Sequence, residues 1–288
     1  AKVDKLKVEL AKANALLKDK ANTSDLATAK DALKELAKVE NATDGKTTST
    51  AAAYTAAKQA ADAAVAKAEG LMANPNVTPE EVAEALTEVK ARKDELEKAK
   101  VALVDKATEE QKTKLEADAG KLTKASTEGK TQDSITAYNE KYAQLATELE
   151  AAKNKATAIK EAGDNASEHE ALKAQAAVDG VLAKLEAAKA VLVDKATDDQ
   201  VSELRKADVS LTPASASTFE TAKTPASIAA YKKAVEAIQT DLTEAKATAA
   251  DLVRKAEQNN ATQADATSAI AKVDKLKVEL AKANALLK

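Results

Sequence analysis

A chain of 288 residues with 44 basic and 47 acidic side chains, no cysteine and five aromatic rings fits few classes of protein. The missing cysteine excludes disulfides and thiolate metal sites. The interspersed charges, Lys far outnumbering Arg, leave no basic face for nucleic acid, and no run of 18 uncharged apolar residues is available for a membrane span.

Ala, Glu, Lys and Leu dominate, with 6 Gly and 4 Pro, a vocabulary that favours long helices. Strand formers are too sparse for a sheet. Alanine buries little apolar area, so the expected core is narrow. The start carries no charged-then-apolar leader pattern.

The first segment, "AKVDKLKVELAKANALLK" at 1–18, returns letter for letter at 271–288. An exact match of that length indicates a tandem period of 270 residues and favours an excerpt from a longer chain. Residues 1–18 read as the end of the long helix of a preceding unit. Three units follow, 19–106, 107–195 and 196–288, and the last helix of the third repeats 1–18. Downstream of each long helix comes a further helical segment, "LLKDKANTSDLATAKDALKELAKVENA", "LVDKATEEQKTKLEADAGKLTKAS" or "LVDKATDDQVSELRKADVSLTP", the last limited by Pro213.

A loop rich in Gly, Thr and Ser comes next. It ends on Lys46-Thr47, Lys130-Thr131 or Lys223-Thr224, each Lys eight residues before a tyrosine: Tyr54, Tyr138 and Tyr231. Each tyrosine marks a second helix and reads as a core-edge residue locking its start. The competing reading makes the three tyrosines regularly spaced ligand contacts.

The third helix of each unit aligns without a gap across 76–103, 165–192 and 260–287. Thr78, Ser167 and Thr262 read as N-caps, with Glu81, Glu170 and Asp265 three residues on as the acidic halves of capping boxes. Pro79 sits at the first helical position, where its missing N–H costs nothing. The apolar stripe then steps by three and four. In the first copy it runs Val82, Leu86, Val89, Leu96, Leu103, with Lys93 and Lys100 filling two of the slots; in the second Ala171, Gln175, Val178, Leu182, Leu185, Lys189, Leu192; in the third Ala266, Ile270, Val273, Leu280, Leu287, with Lys277 and Asn284 in the same two slots. The passage into the next unit, "DKAT", contains no Gly or Pro, so a nearly collinear helix with a local kink is expected. Thr108 with Gln111 and Thr197 with Gln200 read as fresh caps beyond it. The expected fold is all-α: tandem antiparallel three-helix bundles set end to end as an elongated rod.

A tyrosine-bearing helix, a loop ending in Asn-x-Thr/Ser and an acid-capped helix ending in an apolar run resemble the FIVAR-type three-helix-bundle repeats of giant Gram-positive surface adhesins of the extracellular-matrix-binding type. The resemblance covers the chain in three copies. It implies an extracellular, cell-wall-anchored fibrous protein and supplies no catalytic residues.

No other motif converges on chemistry. His169, the single histidine, stands between Glu168 and Glu170 in a first helical turn, which cannot aim three ligands at one point. Asp198 and Asp199 complement a helix dipole. "GKT" at 45–47 and 129–131 lacks the upstream Gly and strand of a phosphate loop. "NVT", "NAS" and "NAT" match the N-glycosylation acceptor, and a helix cap accounts for their Thr or Ser. No catalytic, cofactor or metal site is assigned, and no cofactor is expected. The leading function is a stalk that projects a binding region from a bacterial surface. The first alternative is an adhesive module binding a host matrix or serum protein through a helix face; the second is an intracellular coiled-coil scaffold. Expected partners are neighbouring repeats and possible host matrix or serum protein, with no nucleic acid and no membrane insertion, for a monomeric chain.

Overall fold

The computed structural model describes residues 2–17 and 19–288. Ala1 and Lys18, the ends of the first repeated segment, lie outside the described residues. The protein is all-α: twelve α-helices and two short 3₁₀ turns, with four isolated antiparallel bridges among the described residues. The helices are α1 (Lys2–Ala15), α2 (Ser24–Ala37), α3 (Thr48–Ala73), α4 (Pro79–Val101), α5 (Glu109–Gly120), α6 (Gln132–Gln144), α7 (Ala146–Ala162), α8 (Glu168–Lys189), α9 (Asp198–Arg205), α10 (Ala207–Ser210), α11 (Pro225–Glu257) and α12 (Gln263–Asn284).

The chain forms two compact units. The first holds residues up to 119 together with 152–178; the second holds 120–151 and 179–288. In the first unit α2, α3 and α4 each pack on the other two. Their shared interior contains Leu26, Leu33, Tyr54, Val65, Val89 and Leu96, with Ala61, Ala64, Ala68 and Ala85 between them. In the second unit α9, α11 and α12 pack in the same mutual way, around Leu204, Leu211, Leu242, Leu252, Val273 and Leu276. Small residues at Ala245, Ala249, Ala266 and Ala269 fill the same core.

The stripe of the third helices is largely buried: Val82, Val89 and Leu96 in α4, Ala171, Val178 and Leu185 in α8, Ala266, Val273 and Leu280 in α12. The pattern left out a second row of alanines, Ala85, Ala174 and Ala269, at equivalent positions and equally buried. An alanine on a helix reads as neutral filler in sequence. Here its small size lets neighbouring backbones approach.

Two helical expectations are corrected. First, no nearly collinear helix runs through "DKAT". α4 ends at Val101 and α5 begins at Glu109; α8 ends at Lys189 and α9 begins at Asp198. The physical reason is that Asp105–Ala107 and Asp194–Ala196 give their backbone groups to other segments, as described below. Second, the tyrosine helix read over 134–163 is divided at Leu145, which separates α6 from α7. No Gly or Pro marks that position.

Candidate functional site: a recurring linker joint

The polar features singled out in the sequence meet at one structural motif, formed once in each compact unit. In the first unit the linker Val104–Thr108 lies between two flanks. On one side is the loop Gly45-Lys46-Thr47, which leads into α3. On the other is Ala166-Ser167, which leads into α8. Thr47 N donates to Val104 O at 2.8 Å, Lys106 N to Gly45 O at 2.9 Å, Ala107 N to Ala166 O at 2.8 Å, and Glu168 N to Asp105 O at 2.9 Å. The second unit repeats all four with the linker Val193–Thr197. Thr131 N donates to Val193 O at 2.8 Å, Lys195 N to Gly129 O at 2.9 Å, Ala196 N to Ala261 O at 2.8 Å, and Gln263 N to Asp194 O at 2.9 Å. The four isolated bridges among the described residues are these contacts.

Side chains reinforce each flank. Lys46 Nζ reaches Asp105 Oδ1 at 2.6 Å, and Lys130 Nζ reaches Asp194 Oδ1 at 2.6 Å. On the far side of the first linker Lys106 Nζ lies 3.3 Å from Asp164. Ala107 and Ala196 are buried at the centre of their linkers. Gly45 and Gly129 adopt φ of +67° and +70°, a conformation that an L side chain disfavours. The Gly and Lys of "GKT" therefore turn the chain and pair with the linker acid.

The joint also resolves a helix problem. The first amides of any α-helix have no partner within the helix. Three helix starts converge at each linker: α3, α5 and α8 in the first unit, α6, α9 and α12 in the second. The linker carbonyls at Val104, Asp105, Val193 and Asp194 accept from the flanking segments. Asn165 Oδ1 accepts from Ser49 N at 2.8 Å, 116 residues away. Asn260 Oδ1 accepts from Asp133 N at 3.0 Å, and Asn260 Nδ2 donates to Asp133 Oδ1 at 3.0 Å. Asn259 O also accepts from Gln132 N. Asn259 itself has φ of +58° and ends α11 in a Schellman arrangement, with Asn260 N donating to Lys255 O. One tripeptide thus serves two helices: its Asn caps a distant one and its Ser or Thr caps its own.

Thr78 accepts from Glu81 N at 3.3 Å and its own amide donates to Glu81 Oε2 at 2.8 Å. Ser167 accepts from Glu170 N at 3.1 Å, and its amide and hydroxyl both donate to Glu170 Oε2. Those bonds hold the Glu170 carboxyl below the usual carboxylate range. Thr262 accepts from Asp265 N at 3.0 Å; Asp265 is one methylene shorter than Glu. Thr108 with Gln111, and Thr197 with Gln200, form reciprocal caps at the start of α5 and α9.

Tyr54, Tyr138 and Tyr231 are each at most 3% exposed, which leaves no free ring face for a ligand. Tyr138 Oη accepts from Ala125 N at 2.7 Å, and Tyr231 Oη donates to Ala214 O at 2.9 Å. Burial pushes the Tyr231 phenol above its ordinary value, the Ala214 bond opposing it. His169, Asp198 and Asp199 are exposed. Among the described residues no three His, Cys, Asp or Glu side chains are placed to hold a metal ion, and no helix is long and apolar enough to cross a membrane. A shallow groove of about 270 Å³ beside α9 is lined by Lys195, Asp198, Arg205 and Glu257. It mixes both signs of charge and aims no set of groups at one point.

Comparison with known proteins agrees with the resemblance drawn from the residues. Residues 29–97 match the FIVAR domain. Extracellular matrix-binding protein EbhB of Staphylococcus aureus strain N315 is 32% identical over 180 residues, which is 60% of this chain and 4% of that protein. EbhB of strain Newman shows the same 32% identity over 60% of this chain and 2% of its own length. The same figures describe extracellular matrix-binding protein ebh of strain NCTC 8325 / PS 47. The chain therefore spans only 2–4% of the length of these curated relatives. No solved structure matches.

Proposed function

We propose that the chain is a non-enzymatic spacer segment of a bacterial surface adhesin, outside the cell and attached to the wall. In this reading three consecutive bundles, 19–106, 107–195 and 196–288, stand end to end and hold a binding region away from the surface. The observation that carries it is the repeated joint. A linker bonded on both flanks through four backbone hydrogen bonds suits a segment whose purpose is to keep one unit fixed to the next. The FIVAR match and the likeness to matrix-binding surface proteins support the location.

Solution scattering tests the reading. A helix such as α3, with 26 residues, is about 39 Å long at 1.5 Å per residue. Three bundles in line give a monomer with a maximum dimension above roughly 100 Å; a compact particle of the same mass refutes the spacer. A second reading rests on the relatives' names: the units themselves bind a host matrix or serum protein through a helix face, with repetition adding avidity. Immobilised matrix and serum proteins, probed with the intact chain at tens of micromolar, test that reading, and uniform failure to bind removes it.

A further inference from the structure

The three capped helices share one apolar stripe, and a single position breaks it. Leu86 in α4 and Ile270 in α12 are half-buried and packed against the cores of their units. The aligned residue in α8 is Gln175, equally half-buried. The leucine-bearing helices change in step. Leu115 and Leu122 align with Leu26 and Leu33, and with Leu204 and Leu211, and all six are at most 2% exposed. Three residues after the first leucine of each pair stand Asp118, Ala29 and Ala207; one residue before it stand Lys114, Asp25 and Glu203. Only α5 carries a cation and an acid where α2 and α9–α10 carry an acid and an alanine.

These exchanged residues meet in the structure. Gln175 Nε2 donates to Asp118 Oδ2 at 2.9 Å, 57 residues away, and Lys114 Nζ reaches the same oxygen at 2.5 Å. Asp118 is 9% exposed, and among the described residues it is the one charged side chain that is buried. A carboxylate withdrawn from water is tolerated only where donors and a cation meet it in good geometry. An alanine and a leucine fill comparable space without that requirement, so net stability does not account for the exchange. Partner choice does. Against Leu86 or Ile270, Asp118 would lose its amide donor. Against Ala29 or Ala207, Gln175 would lose its carboxylate acceptor.

We propose that Lys114, Asp118 and Gln175 form a pairing code that matches α5 to α8 and denies it α4 and α12. The capped helices present nearly the same stripe, and so do the leucine-bearing helices. A helix of one set can therefore enter the wrong partner during folding, and such misassembly is a characteristic failure of repeated chains. One polar pair discriminates because each mismatched combination buries a polar group without its partner, while the matched one does not. A single buried amide fixes register and partner in coiled coils by the same physics. The code is independent of what the chain binds and of its length, and its test reads helix matching alone, so it and the spacer reading fail separately.

The test is amide NMR of the full chain after refolding from denaturant. Asp118→Ala with Gln175→Leu gives this pair the composition of Ala29 and Leu86. Slow hydrogen exchange at Val178 should persist, which shows that α8 still packs. A second set of amide signals from α2, α5 and α9 should then appear at roughly a tenth of the total intensity, where the unaltered chain gives one set. A second variant leaves the cluster intact and copies it onto α2 and α4: Asp25→Lys, Ala29→Asp and Leu86→Gln. It should double the signals of α2 and α5, because both then carry one code. A single set of signals in either variant overturns the proposal. Loss of protection at Val178 in the first variant overturns it as well, since the pair would then be a stabilising contact and not a selector.

Discussion

Replacing Asn260 by Ala tests whether the Asn-x-Thr/Ser tripeptide caps a helix 127 residues away. The side chain makes two bonds at 3.0 Å, one accepted from the Asp133 amide and one donated to the Asp133 carboxylate. A typical intramolecular hydrogen bond contributes about 1 kcal/mol net, and more when one partner is charged. Asn260 is only half-buried, so water partly replaces what is lost, and about 1–2 kcal/mol is expected. That corresponds to roughly a 5- to 30-fold larger opening constant. Because several bundles need not unfold together, a global melt would blur the effect; residue-resolved amide exchange at Gln132 and Asp133 reads it directly. Asn260→Asp sharpens the test. It keeps the acceptor for the amide but sets a second carboxylate against Asp133, so it should cost at least as much as Ala. Unchanged exchange at both amides in Asn260→Ala would refute the capping role.

The repeated segment supplies a paired experiment: Leu276→Ala should cost about 2–5 kcal/mol, whereas Leu6→Ala, in identical local sequence but 69% exposed, should stay within about 0.5 kcal/mol; denaturant melts of the two variants decide. Gly129→Ala should destabilise the second unit by about 1–2 kcal/mol through its φ of +70° alone, since no atom lies within 4 Å of the added carbon, and an undiminished denaturation midpoint would remove the argument. The raised phenol of Tyr231 makes its contribution to stability complete below the unfolded phenol value of about 10 and lost as pH rises through the higher folded value; Tyr231→Phe should flatten that alkaline loss in melts taken across the range. The lowered carboxyl of Glu170 has the opposite sign: its contribution is present above about pH 4.3 and lost as pH falls through the depressed folded value, so Ser167→Ala should remove that acid dependence at the start of α8.

The helices and their caps were readable because their signals are local. Thr78 and Glu81, or Thr197 and Gln200, lie three residues apart and bond to each other whatever else the chain does. The stripes at Val89, Val178 and Val273 follow helical spacing and face the interior. The joint was not readable, because its partners lie far apart: Lys46 and Asp105 are 59 residues apart, Ser49 and Asn165 116. Its parts also imitate other motifs. "GKT" suggests a phosphate loop, and "NAS" and "NAT" suggest glycosylation acceptors. The available signal was their constant register: wherever "DKA" follows a long helix, a Lys-Thr pair precedes the tyrosine helix and an Asn triplet precedes the next capped helix. The helical expectation for "DKAT" failed for the same reason, since favourable local propensity yields to backbone bonds offered from both sides.

The alanine-rich cores explain why such joints matter to this molecule. An interior assembled from Ala61, Ala64, Ala68 and Ala85 among a few leucines removes less apolar surface per residue than one of leucine and isoleucine. Small helical units of this kind are close to the size at which one core only just offsets the entropy of ordering the chain. Helix starts are where such units would open first, because their leading amides have no partner inside the helix. Placing three helix starts around one linker lets carbonyls and an asparagine that are ordered already satisfy several of those amides together. The joint thereby couples the fraying of α3, α5 and α8, or of α6, α9 and α12, into a single event.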